Sequence, residues 1–598
     1  EYQYNHLGKV TTMTQYIDSG DIYGNSWDDK TELALITTYT YDLNGNLLSM
    51  KAPDGKITSY TYDKLDRQTS IKEKGLDQYG NPADITTTVT YDFAGNVLTS
   101  TDPMGNITRN YYNQRGLLEL TIDPLGGKTL YTYDNGGRLI AKVMPESYIE
   151  GASLSQMNRA VYSYDKMDRI ILEQDIHYDD EIKAFRTITS SAYKYDKNGN
   201  TIKTLDALGY ASGSGQTIES KIDTGYGTTN TYNATGMLLT MQTPESKDKG
   251  QTYDVKYTYD AIGRKTSETN AAGLVTRYYY DGAGRLIKTT IEDTTKSQIE
   301  KTLQEVTYDG LGNILTQTDG NGNISSYSYN RLGLLRSQTS PGDETIDAYT
   351  IENQYDRLGR LVYQKDSLDK ELIYSYNHSG QILSQTEKKA GKNGSINGDG
   401  IDGDQSISIS NAYDLNGNLR FTTDGNGTVT EYIYDSLNRI YQSKITVSGI
   451  QQVTTNTYDK NNNLLTKTDW LGNTYTNQYD GLNRLIKETD PYGKVIRAYE
   501  YNDNHAQIRA YDGLGNVTIY SYDKNNRLLS TTDPEGHISS QTYDKVGNIA
   551  TKTDGKGNVT TFDYDGLNRL IKVTNGIGEE TSYTYDNNGN KLTQTDGK

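Results

Sequence analysis

Residues 522–542 read Y-D-K-N-N-R-L-L-S-T-T-D-P-E-G-H-I-S-S-Q-T. The same phrase restarts at Tyr501, Tyr522, Tyr543, Tyr564 and Tyr585, each followed by Asp or Asn, in steps of 21 residues. A fixed period of this length marks a repeat architecture, in which one small unit stacks on its sequence neighbours.

Each unit holds two turn signals about ten residues apart. The first is Y-D-x-x-G-N or Y-D-x-x-N-R, as in Tyr543-Asp544-Lys545-Val546-Gly547-Asn548; the second is T-D-x-x-G-N, as in Thr553-Asp554-Gly555-Lys556-Gly557-Asn558. Asp opening such a turn accepts bonds from the backbone just ahead of it, and Gly three residues on takes positive φ, closing a hairpin with a bulge. Where Gly is missing, Asn or Asp stands in, as at Asp66, Asp168, Asn438, Asn483 and Asn568; these side chains tolerate left-handed backbone best. Between turns the pattern alternates with period two, rich in Thr, Val, Ile and Tyr, as a strand requires. Pairs such as Tyr520/Tyr522 and Tyr583/Tyr585 place two rings on one face. A lone hairpin is marginal in water, so the hairpins are expected to pair edge to edge in one long sheet, with Tyr beside Tyr in neighbouring copies. The residues expected to carry the unit are Tyr522, Asp523, Arg527, Tyr543, Asp544, Gly547, Asn548, Tyr564, Asp565, Arg569, Tyr585 and Asp586.

The phrase Y-D-x-x-G-N/R-L-x-x-x-T-D-x-x-G-N-x-T-x-Y resembles the YD repeat of the bacterial Rhs family. Similar repeats occur in wall-associated proteins of Gram-positive bacteria, the insecticidal Tc toxin complexes and animal teneurins. The resemblance covers essentially the whole chain. It implies an all-β fold: tandem hairpins forming a continuous spiralling sheet, a hollow shell or an open tube. In that family the shell often encloses a toxic C-terminal domain.

Composition agrees with a sheet and not with a large oil-drop core. Hydrophobic residues are 33% of the 598, and 54 Tyr supply much of the missing burial. The formal net charge of −18 argues against a nucleic-acid partner, which needs clustered Lys and Arg. There is no Cys, so disulfides and thiolate chemistry are excluded. No apolar run reaches 18 residues, so no membrane-spanning helix is expected. Glu1 already sits in repeat-like sequence (Tyr2, Tyr4-Asn5) and Lys598 falls inside a unit, so the chain reads as a piece of a longer polypeptide.

Tyr-Asp or Tyr-Asn marks run from Tyr41 to Tyr585, with 23 marks and 22 spacings of which 12 equal 21. The chain therefore reads as a divergent start (1–40), repeats with insertions (41–457) and near-perfect repeats (458–598), in one continuous domain. The longer inserts, near 72–88, 143–161, 173–192, 210–231, 241–256, 292–306, 340–353 and 387–411, are expected in loops or lengthened hairpins, where extra residues cost little.

Few residues invite chemistry. The D-P-x-G phrases at Asp102, Asp123, Asp490 and Asp533 fill the second-turn slot and read as plain turns. The stretch 393–404 alternates Asn/Asp with Gly; it departs from the EF-hand template and reads first as an acidic loop, with Asn397, Asp399, Asp402 and Asp404 as the ligands if it holds Ca²⁺. No other cofactor is expected. The recurrent Arg after the turn is expected to pair with the turn Asp or lie over a Tyr face. Five scattered His form no catalytic phrase, and turn carboxylates give no distinct acid–base pair. The expectation is a non-enzymatic scaffold of a secreted or surface-displayed bacterial protein, enclosing or presenting another part of its polypeptide, such as a C-terminal toxin or a plug. The alternative is an extended adhesive fibre, self-associating or binding cell-surface glycan through its Tyr rows.

Overall fold

The computed structural model describes residues 1–179, 182–293, 300–342, 347–389 and 405–597. Among these, 48 strands between Tyr2 and Asp596 form one antiparallel sheet. Each strand pairs with its successor, from Tyr2–Tyr4 against Val10–Asp18 to Glu580–Tyr585 against Lys591–Asp596. Pairing continues without a break past residues 40 and 457.

Local chemistry explains each hairpin. Asp544 Oδ1 accepts the backbone N–H of Val546 (2.9 Å) and of Asn548 (2.8 Å), while its Oδ2 accepts the Asn548 amide at 3.0 Å. The backbone bond from Asp544 N–H to the Asn548 carbonyl closes the loop. Gly547 takes φ +99°, and Asp66, Asp168, Asn438, Asn483 and Asn568 take φ of 59–61° in the equivalent place. The register then slips by one: Thr542 faces Thr551 but Tyr543 faces Ile549, a β-bulge.

A meander puts alternate turns on opposite edges. One edge, the Tyr-Asp rim, carries every first turn; the other, the Thr-Asp rim, carries every second turn. On the Tyr-Asp rim each Tyr faces the residue six further on, as in Tyr62 with Gln68, Tyr195 with Thr201 and Tyr458 with Leu464. Insertions lie on the Thr-Asp rim. Among the described residues three of them lengthen hairpins, Gln68–Leu76 with Pro82–Tyr91, Ile170–Asp179 with Ala184–Tyr195 and Ile382–Lys389 with Gln405–Tyr413.

The inserts near 210–231 and 241–256 depart from the expected loops and hairpins. They fold as short helices, α1 (Ala207–Ala211), α2 (Ile218–Thr224) and α3 (Pro244–Asp248). The caps account for this. Asp206 accepts the Gly209 N–H, Thr217 and Ser220 form a reciprocal capping box, and Pro244 opens α3. Helices this short need tertiary support; Tyr210 and Ile222 find it in a buried cluster with Leu172, Ala192 and Leu205.

The ribbon also winds on itself. Hydrogen bonds link tips 265 to 334 residues apart, from Asn321–Asp586 to Gln354–Gly20. The 48 strands therefore make about two coils, with the Thr-Asp rim of the first against the Tyr-Asp rim of the second.

Gly547→Val forces a β-branched side chain into the left-handed region, a cost of about 1–3 kcal/mol at that hairpin. Asn483→Gly, at φ +61°, relieves the same constraint. Proteolysis near residue 547 should speed up markedly in the first variant and little change near 483 in the second; equal behaviour would contradict the turn geometry.

Candidate functional site: the Tyr-Asp rim and the seam between coils

On the Tyr-Asp rim each repeat grips its neighbours on both sides. The Tyr hydroxyl donates to the carbonyl at the start of the preceding strand, as Tyr522 to Gln507 (2.7 Å), Tyr543 to Leu528 (2.8 Å) and Tyr585 to Leu570 (2.8 Å). Among the described residues 21 of the 23 marks from Tyr41 to Tyr585 make this bond. Tyr564 does not show it; burial pushes its phenol up from the ordinary value.

Arg works in the other direction. Arg527 Nε and Nη2 reach Asp523 Oδ2 at 2.8 and 2.7 Å, and its guanidinium lies 4.2 Å from the Tyr543 ring centre of the next repeat. Arg569 pairs with Asp565 (2.7 Å), covers Tyr585 at 4.9 Å and donates to the Asp586 carbonyl at 2.7 Å. The two uses foreseen for Arg thus occur together. The Tyr-on-Tyr contact between neighbouring copies does not form for the repeat Tyr: they sit on every second strand, roughly 9–10 Å apart, beyond ring contact at 4.5–7 Å. Arg fills that gap. Where the repeat has Asn in place of Arg, as at Asn548, the amide returns to the turn Asp.

The seam has its own recurring contact, three residues after the repeat Tyr. Asn416 accepts the Met104 N–H through Oδ1 (3.0 Å) and donates Nδ2 to Asp102 (2.7 Å). Asn504 does the same with the Leu208 N–H (3.0 Å) and Asp206 (2.8 Å). Asn525 accepts from the Glu245 N–H and donates to Thr243 (3.0 Å), Asn461 accepts from the Glu146 N–H (2.9 Å), and Asn588 donates to Asp319 (2.6 Å). Ion pairs add to these clamps, including Arg186–Asp503 and Arg336–Asp21, whose carboxylate is 1% exposed. At the start of the chain Ile22 and Tyr355 form a parallel bridge across the seam. Close approach matters at Gly481, where an added Cβ would sit 2.9 Å from Asn158 Nδ2 and 3.0 Å from His177 Cβ.

A family model described as RHS Repeat matches residues 36–75, 259–296, 308–345, 413–449, 458–495, 501–538, 543–576 and 564–598. The chain is an RHS/YD-repeat protein. A crystal structure of a TcdB2–TccC3 complex aligns with 94% of the chain at TM-score 0.64 and 16% identity, and the chain spans 31% of it. The Photorhabdus luminescens Tc holotoxin pore gives TM-score 0.64 and 15% identity over 94% of this chain and 30% of that one. A TcdB2–TccC3–Cdc42 structure covers the whole chain at TM-score 0.56 and 14% identity, the chain spanning 41% of it. At these identities the likeness is one of fold. A search of curated proteins found no match.

Other residues singled out in the RHS-repeat sequence fall in simpler places. Asn397, Asp399, Asp402 and Asp404 lie outside the described residues. The four D-P-x-G phrases close ordinary turns, their Gly N–H reaching the Asp carbonyl at 2.9–3.0 Å. In one of them Asp533, Glu535 and His537 gather at a solvent-facing tip, with His537 Nδ1 3.0 Å from Asp533 Oδ2. The seam Asn residues had no foreseen role. Their signal is an Asn three residues after the Tyr, but their partners lie 269 to 315 residues away, far outside the 21-residue period.

Titration of the rim predicts a loss of stability at both extremes of pH. Bonds from Asn321 and then Asn590 hold Asp586 down to about 2, below its unfolded value of 3.8. Its contribution is present above about pH 4 and fades as pH falls toward 2. Burial, then Asp21, pushes Tyr355 up to about 12 from 10.0. Its contribution is present below about pH 10 and fades as pH rises toward 12. Thermal midpoints should therefore fall as pH drops from about 4 toward 2 and as it rises from about 10 toward 12; a midpoint rising from pH 10 to 12 would contradict the tyrosine assignment. Separately, Gly481→Leu should wedge the coils apart. Hydrogen exchange should speed up around residues 158, 177 and 481 while far-ultraviolet circular dichroism stays unchanged, and unaltered exchange there would mean the seam is not tight at Gly481.

Proposed function

We propose that the chain is the wall of a shell, a non-enzymatic scaffold in a secreted or surface-displayed protein that encloses or presents another part of its own polypeptide. The observation that carries this reading is the seam. A flat ribbon would leave its Thr-Asp and Tyr-Asp rims in water along their whole length. Here the two rims are stitched together at tips from Asp18–Arg331 to Asp319–Asn588. A ribbon wound and stitched in this way makes a wall whose neighbouring coils are joined at successive tips, which hinders proteases and solvent flow toward a segment held inside. The likeness in fold to the TcdB2–TccC3 structures, which are about three times as long, supports a wall that is one part of a larger assembly. By the resemblance to the Rhs family a C-terminal toxin or a plug domain is the fitting cargo. An extended fibre is the second reading, and the feature that favours it is the pair of rims that remain uncovered at the two ends.

Cryo-electron microscopy of the purified chain at low concentration tests enclosure. Short hollow particles, two coils high and with an open lumen, are the expected result. A flat ribbon or a solid rod would overturn the shell.

A further inference from the structure

The five His divide sharply. His6, His378, His505 and His537 are exposed, whereas His177 is 5% exposed. It stands on the strand Ile170–Asp179, opposite Arg186 of the strand Ala184–Tyr195, where this hairpin of the first coil meets the second. The approach across the seam is close: a Cβ added to Gly481 of the second coil would lie 3.0 Å from His177 Cβ. Asn158 closes the joint from the side. Its Oδ1 accepts the Tyr178 N–H at 2.7 Å, and its Nδ2 would lie 2.9 Å from the same added Cβ. A cavity of about 140 Å³, lined by Asn158, Arg159, Asp175, Gly481 and His505 among others, adjoins this joint.

A buried imidazole ordinarily earns its place through hydrogen bonds from its ring nitrogens. His177 Nδ1 is buried without such a partner, so this nitrogen adds nothing that an apolar ring would lack. Burial holds the imidazole below its ordinary value of 6.5. Asp480 and Asp179 pull the other way, and Arg186 and Arg484 act with burial. The carboxylates of the second coil are already engaged: Asp480 takes Arg484 Nε at 2.7 Å, and Asp503 takes Arg186 Nη2 at 2.7 and 2.9 Å. Asp175, Arg159 and His505 complete the charged and titratable groups, around the adjoining cavity. The closed seam therefore accepts the neutral ring. A proton bound when the coils part, and not while they are closed, costs the closed seam stability as pH falls below about 6.5 and leaves it untouched above.

We propose that His177 is an acid-sensitive latch in the seam: a proton on its imidazole parts the two coils between the hairpin 170–195 and the turns at 480–484 and 502–506. An imidazolium in the closed joint is stripped of water, repelled by two guanidinium groups and left without an uncommitted carboxylate in the second coil. Parting the tips hydrates it, and the cavity beside Asn158 and Gly481 is the path by which water reaches the ring. The opening is local. The clamp of Asn416 on Met104 and Asp102 contains no His and stays shut. Histidine is the side chain whose ordinary titration suits such a switch to mildly acid surroundings. The latch belongs to the wall itself and works whether or not a segment lies inside, so it stands or falls apart from enclosure.

Amide hydrogen exchange of the whole chain at pH 7.5 and 5.5 tests it, with labelling times scaled to the chemical rate at each pH. Amides around residues 158, 177 and 481 should exchange about tenfold faster at pH 5.5, the factor by which a ring of ordinary pKa in the parted state favours opening one unit below that value. Amides around residues 104 and 416 should not change. His177→Phe and His177→Gln remove the charge and should each abolish the acid response while keeping the protection seen at pH 7.5. Deuterium uptake at the imidazole Cε1, read peptide by peptide, follows the same proton in the unaltered chain, so the test does not depend on how either variant folds; His177 should stay neutral until the seam opens. The proposal is overturned if exchange around 158, 177 and 481 is the same at both pH values, or if residues 104 and 416 respond equally. It is also overturned if either folded variant keeps the acid response, or if the His177 ring takes its proton at the ordinary value while the seam stays protected.

Discussion

The turn carboxylate of the Tyr-Asp phrase is the constraint on which the rest depends. One oxygen of Asp544 holds two backbone N–H groups, and the second takes an amide or, in repeats such as Asp523–Arg527, a guanidinium. That fixes the loop length, and a fixed loop fixes the bulge. The bulge places the Tyr ring over the start of the preceding strand, where its hydroxyl finds a carbonyl. Only then can Arg, held by its own turn Asp, cover the Tyr of the following repeat. Each step needs the previous one to hold within a few tenths of an ångström, and none needs a deep hydrophobic core.

Stability in such a chain is spread and local. Each Tyr hydroxyl bond contributes about 1 kcal/mol, and each Arg–Tyr contact about 0.5–2 kcal/mol according to its exposure. Fully buried apolar groups are few and collect where inserts fold back, as Leu205 does beneath α1 and Ile17 beside Leu35. A sheet held in this way behaves as a sum of nearest-neighbour terms, so damage to one hairpin should weaken its neighbours and leave distant repeats intact. The seam is what couples distant repeats.

The repeat chemistry was legible in the sequence because its partners are close by. Asp544 finds Asn548 four residues away, Tyr543 finds Leu528 fifteen away, and Arg527 finds Tyr543 sixteen away. A period of 21 residues shows all three at once. The helices were less legible: Thr217, Asp206 and the Thr243-Pro244 pair are ordinary cap signals, but they stand in short polar inserts whose apolar periodicity is too brief to count. The seam was not legible at all. Asn416 carries the same turn chemistry as Asn44, and what separates them is whether a coil lies alongside, which depends on curvature accumulated over some 300 residues.

That curvature is regular in strands, not in residues. The clamps joining Asp102 to Asn416, Glu146 to Asn461, Asp206 to Asn504, Glu245 to Asn525 and Asp319 to Asn588 each span 23 strands, while their separations fall from 315 to 269 residues. Insertions thus change the residue count of a coil without changing its circumference. The reason lies in the rims. A longer Tyr-Asp turn would pull Tyr off its carbonyl and Arg off its ring, breaking the grip between repeats, so variation is confined to the Thr-Asp rim. In the first coil that rim faces the second coil, and α1 and α3 lie there under Asn504 and Asn525. The repeat therefore sets the width of the coil, and the inserts shape how one coil sits on the next.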